Sequence, residues 1–124
     1  MTKIDNLSSS ASQITRVILT DGSILTLEAR YMAAVQRWNV NLSWPGPAAA
    51  PLATPFQING LNLSHAPNIL RPWRDLIPFG LSCVAKDGVD PIDVNDFEQE
   101  RVQLYILDND EVLSVEQNVY GSLS

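Results

Sequence analysis

Cysteine and histidine are all but missing from this 124-residue chain, which has one of each, Cys83 and His65. A lone cysteine excludes an internal disulfide. Its apolar setting, Gly80-Leu81-Ser82-Cys83-Val84-Ala85, predicts a buried, inert thiol. His65 lies in the turn-like stretch Leu63-Ser64-His65-Ala66-Pro67, a context that suits a surface or capping histidine better than a general base. Zinc-ligand spacings, dinucleotide fingerprints, phosphate-cradling glycine loops and the Gly-x-Ser-x-Gly elbow do not occur. Charge is sparse as well. Only 18% of residues carry it, the net value is −6, and eight scattered Lys and Arg argue against binding a nucleic-acid backbone. No run approaches the roughly 18 apolar residues of a membrane span. The first ten residues lack the apolar stretch of a secretory signal, so the chain is expected to be made and used on the cytoplasmic side.

What is present is strand signal. Hydrophobic residues make up 45% of the chain, enough for one domain with its own core. Ile14 to Leu19 and Ile24 to Tyr31 flank Asp21-Gly22, the pair that supplies a tight hairpin turn. Trp38, Val40, Leu42 and Trp44 alternate with Arg37, Asn39, Asn41 and Ser43, the period of two that marks a strand with one wet face. Pro45 to Pro55 contains four prolines and is expected to be an exposed loop. Phe56 to Leu63 reads as a strand bent or bulged at Gly60, and Gly80 to Lys86 and Arg101 to Asp108 as two more. The proline-punctuated stretch Ala66 to Pro78 has room for one short helical turn. These readings predict an all-β fold, a small antiparallel sandwich or partly open barrel of six to seven strands with little helix. Residues 1–12 are expected to be a flexible arm, 13–110 the β-domain, and 111–124 a further strand or arm.

Two constellations have chemical potential. Asp87 to Glu100 is dense in acids, and Asp87, Asp90, Asp93 and Asp96 would be the ligands of a calcium site. The spacing does not follow an EF-hand loop, however, and a solvated loop whose acids cap a turn at Asn95 or Asp96 fits better. Trp38 and Trp44 share the apolar face of one strand and read as core. Trp73 differs, because Arg71-Pro72-Trp73-Arg74 joins the two residue types most enriched at interface hot spots on a proline-stiffened segment. Arg71, Trp73 and Arg74 are therefore the candidate interface residues, with a sugar or peptide groove around Trp73 as the alternative.

The order of segments carries further information. A hairpin leads to Arg37-Trp38-Asn39-Val40-Asn41-Leu42, then to a polar strand ending in Asn62-Leu63 and a Pro/Arg/Trp segment. Pro78-Phe79-Gly80-Leu81, an apolar strand, an Asp-rich loop with Asp90-Pro91 and Arg101-Val102-Gln103-Leu104-Tyr105-Ile106 follow. This succession, over roughly Ile14 to Asp108, resembles the baseplate plug proteins of contractile-tailed phages, the cyanophage type. The Pro/Ala-rich stretch from Pro45 to Pro55 and the tail after Asp110 depart from that pattern. The resemblance implies a structural virion protein without catalytic residues, cofactor or metal. It would sit at the distal end of the tail tube, with hub, spike and tube proteins as partners. Several copies around the tail axis would be expected, with no membrane contact. The alternative reading is a carbohydrate- or peptide-binding module.

Overall fold

Short β-branched and aromatic runs between turn formers give seven strands. They are β1 (Thr2–Lys3), β2 (Ser12–Ile18), β3 (Ile24–Met32), β4 (Arg37–Trp44), β5 (Phe56–Asn62), β6 (Gly80–Ala85) and β7 (Val102–Leu107). One helix, α1 (Asn109–Asn118), follows. The computed structural model describes residues 2–4 and 7–118. The strands form two antiparallel sheets, β2-β3-β4-β5 and β1-β7-β6, which are not closed into a barrel. The expected all-β class holds, at 40% strand and 11% helix.

The four-stranded sheet is a meander of hairpins, and its turns are keyed to the core. At the first turn Gly22 has a φ of +89°, and Asp21 Oδ1 accepts from both the amide and the hydroxyl of Ser23. The same Ser23 hydroxyl accepts from Trp44 Nε1 at 3.0 Å, so the turn is tied to a buried tryptophan two strands away. The bulge expected in β5 lies where Asn59 and Gly60 together face Asn41, with Gly60 at φ +71° and its amide donating to Asn41 Oδ1. That bulge shifts the register so that Ile58 meets Leu42 and Leu61 meets Val40.

Alternation on β3 and β4 delivers Leu25, Leu27, Ala29, Trp38, Val40, Leu42 and Trp44 to one face, all buried. Leu81, Cys83, Val102 and Leu104 come from the other sheet, and together they form one core. Trp44 meets Phe79 edge-on at 5.3 Å, and Trp38 meets Phe97 edge-on at 5.0 Å.

Two expectations at the ends need correcting. Thr2–Lys3 is not part of a free arm: it pairs with β7 in the register Thr2↔Ile106, and Ser12 already belongs to β2. Buried Ile4, whose amide donates to Leu104, supplies the anchor. The segment after Asp110 is neither a strand nor an arm over the described residues; it is α1, opened by a reciprocal cap. Glu111 N donates to Asp108 Oδ1 and Asp108 N to Glu111 Oε1. Residues 1, 5, 6 and 119–124 of the expected arms lie outside the described residues.

Trp38 is fully buried and its Nε1 donates to the carbonyl of Asp93. Trp38→Ala is expected to lower the stability by about 3–5 kcal/mol in urea unfolding. Trp38→Phe, which keeps most of the apolar contact, should cost less.

Candidate functional site

The segment singled out for its Arg and Trp is firmly occupied. Leu70 is fully buried, Asn68 Oδ1 accepts from the amides of Leu70 and Leu81, and a 3-10 turn covers Arg71–Trp73. Arg71 forks onto Glu116 of α1, Nε to Oε2 at 3.0 Å and Nη2 to Oε1 at 2.9 Å. Arg74 Nε reaches the same carboxylate at 3.5 Å. Trp73 is half-buried against the core. The structure thus brings Arg71 and Arg74 together as a clasp that holds α1 against the connection between β5 and β6, while Trp73 between them turns to the core. Hydrogen bonding to Arg71 holds the Glu116 carboxyl below its usual range, against the upward push of burial.

The acidic loop is organised around one cation. Arg101 donates from Nε and Nη2 to the two oxygens of Asp96 at 2.8 and 2.7 Å, and from Nη1 to Asp87 at 2.8 Å. Its remaining donors reach the carbonyls of Val89 and Asp90. Asp96, only 3% exposed, also accepts from the amides of Ile92 and Asp93. Asp93 caps Asn95, while Asp90 accepts from the His65 amide. Of the expected solvated loop with acids capping a turn at Asn95 or Asp96, the capping is observed, but Asp96 itself is a buried acceptor. Among the described residues no group of three or more His, Cys, Asp or Glu is placed to hold a metal ion. Asp87, Asp90, Asp93 and Asp96 each have another hydrogen-bond task.

His65 is exposed and its Nδ1 accepts from the Ala85 amide at 2.9 Å, the capping role expected of it. Cys83 is buried, and burial pushes its thiol up to about 12, which keeps it protonated. A cavity of about 210 Å³ opens between the end of β2, the end of β7 and the start of α1. Its apolar wall includes Val17, Phe79 and Ile106, and its acids are the turn cap Asp21 and the helix-capping Asp108 and Glu111.

The feature that sequence reading missed is an edge. Tyr31 N donates to Ala11 O and Leu19 N donates to Ser23 O, so the odd-numbered residues of β2 bond to β3. The amides and carbonyls of Ser12, Ile14, Arg16 and Ile18 point the other way, where no strand pairs with them among the described residues, apart from Ser12 O, which accepts from Ser10 Oγ. The side chains of Ile14 and Ile18 are 58% and 74% exposed, and Ile24 across from Ile18 is 46% exposed. The signal was available: isoleucines at 14 and 18 fall on the opposite parity from Thr15 and Val17. The other edges are blunted. β1 has two residues, and β5 is bulged at Gly60 and preceded by Pro55. β6 is covered by backbone bonds from Ala66 and Ile69 to Cys83 and Leu81.

The Arg101 fork and the two amides outweigh the upward push of burial and hold the Asp96 carboxyl below its usual range. Carboxylates lowered in this way stabilise the fold above the unfolded value of about 4, and that contribution is lost as pH falls through the lower folded values. Urea midpoints are expected to be flat from neutral pH to about 5 and to drop below about 4, with a shallower drop in the Asp96→Asn, Glu116→Gln double variant. Asp96→Ala should cost about 2–3 kcal/mol at neutral pH by leaving Arg101 and two amides without their acceptor. Among the described residues no helix is long and apolar enough to cross a membrane. No protein-family model matches the chain, and no curated protein matches it.

Proposed function

We propose that this chain is a non-catalytic subunit of a larger protein assembly, joined to its neighbours by strand addition. The assembly is the distal end of a contractile phage tail, where several copies plug the tube beside hub and spike proteins. The observation that carries the strand-addition reading is the open β2 edge: seven residues without proline, with outward amides and exposed isoleucines. An unpaired edge of this kind accepts an extended segment of another chain through main-chain hydrogen bonds, while pockets for alternate side chains give selectivity. The tail assignment is supported by the order of segments from the Ile14 hairpin to the Arg101 strand.

The groove reading is less well supported by the side chains. Trp38 and Trp44 are buried, and Trp73 packs half-buried against the core.

Light scattering of the purified chain, alone and mixed with candidate hub, spike and tube proteins, tests the proposal. A discrete larger complex that forms only with those partners is expected, together with detection of the chain in purified tails by mass spectrometry. Absence from the tails and indifference to every tail protein would overturn the assignment.

A further inference from the structure

We infer that, in the free protein, the strand that fills the β2 edge is β2 of a second copy, giving a two-fold dimer with a continuous eight-stranded sheet. The inference shares the open edge with the function proposed above but needs no tail protein, so the two stand or fall separately.

Self-complementarity argues for this occupant. In a two-fold antiparallel pair the residues directly opposite each other must have the same parity, and the axis must pass beside one residue. Centring on Arg16 would set two guanidinium groups face to face. Centring on Thr15 sets Arg16 opposite Ile14 of the other copy and Ser12 opposite its Ile18, with no like charges opposed. Ile14 is paired on its own sheet with Glu28, whose Oε1 already holds Arg30 at 3.0 Å and Asn41 at 3.1 Å, so Arg16 would join that carboxylate as a second cation across the seam, twice by symmetry. Arg16 is the arginine that makes no ion pair among the described residues, whereas Arg30, Arg37, Arg71, Arg74 and Arg101 all do. The same register places Ile14 diagonal to Ile14 and Ile18 of the partner copy, an apolar strip along the outer face.

Charge permits the approach at this edge. The chain carries −6 overall, yet no Asp or Glu occurs from Leu7 to Thr20, so two copies repel least where β2 meets β2. The blunted state of the other edges makes the pairing stop at two. An isologous contact that uses the one unblunted edge among the described residues of each copy closes on itself and does not propagate.

Sedimentation or light scattering of the purified full chain over the micromolar range tests the dimer. A concentration-dependent dimer is expected, weakened about tenfold in Arg16→Glu, which replaces two symmetric attractions by repulsions at an exposed position. Thr15→Cys tests the register. The two introduced thiols would lie opposite each other in a non-hydrogen-bonded pair about 4.5 Å apart at Cα, within disulfide reach. Mild oxidation should therefore cross-link Thr15→Cys, buried beside its symmetry mate, but neither Gln13→Cys nor the parent chain, whose Cys83 lies on β6 away from the seam. A monomer at every concentration would overturn the inference. So would a dimer indifferent to Arg16→Glu, which remains decisive if Thr15→Cys does not fold, or a cross-link that forms equally from position 13.

Discussion

The fork of Arg101 onto Asp96 is the interaction on which one end of the molecule depends. The connection from β6 to β7 runs through a stretch with no regular structure of its own, and its backbone carbonyls at Val89 and Asp90 need donors that the sheets do not supply. Arg101 provides them while neutralising Asp96 and Asp87. The loop so held brings Ile92, Asp93 and Phe97 against the four-stranded sheet. Tyr31 donates to the carbonyl of Ile92, Trp38 donates to that of Asp93, and the rings of Trp38 and Phe97 meet edge-on. A segment belonging to one sheet is thereby sealed onto the other. Trp38, the largest fully buried side chain among the described residues, is covered in part by a loop whose salt link joins Asp96 and Arg101, about sixty residues further along the chain.

A second ion cluster acts at a different place in a similar way. Glu116 draws Arg71 and Arg74 toward α1, which fixes the helix over the connection that also covers the edge of β6. Both clusters place a well-buried carboxylate against arginine forks, the geometry in which removing one partner leaves a costly unpaired charge. The Glu116 cluster helps cover β6, the bulge at Gly60 interrupts β5 and β1 is short, while β2 has none of these protections among the described residues. The contrast between a three-stranded sheet whose edges are short or covered and a four-stranded sheet that ends, among the described residues, in the unpaired β2 is what the proposed assembly role rests on.

Most of the four-stranded sheet was legible in the residues. The alternation of Trp38 to Trp44, the Asp21-Gly22 turn and the bulge at Gly60 are local properties, set by pleat geometry and by backbone torsions that only neighbouring residues decide. What escaped was non-local. Asp96 and Arg101 are close in sequence, but the contacts that give the loop they hold its importance, Trp38 to the Asp93 carbonyl and to the ring of Phe97, span more than fifty positions. Arg71 and Arg74 looked like part of a free recognition motif because their counter-ion, Glu116, is more than forty positions away. The helix was missed for a local reason. Asp108 and Glu111 form a capping box, but Asp108-Asn109-Asp110 also reads as a turn, and Val112 and Val115 favour strand in isolation. β1 is two residues long, too short for any periodic pattern.

The pairing of β1 with β7 bears on the order in which the molecule is made. Every strand contact of the β2 to β5 meander lies between consecutive strands and is available once Asn62 has emerged from the ribosome. Thr2 waits for Ile106. The first strand synthesised is therefore among the last to be placed, and closing that long loop of chain costs entropy that the early hairpins do not. The apolar face of the β2 to β5 meander therefore meets the opposing sheet only when residues beyond Gly80 have been added.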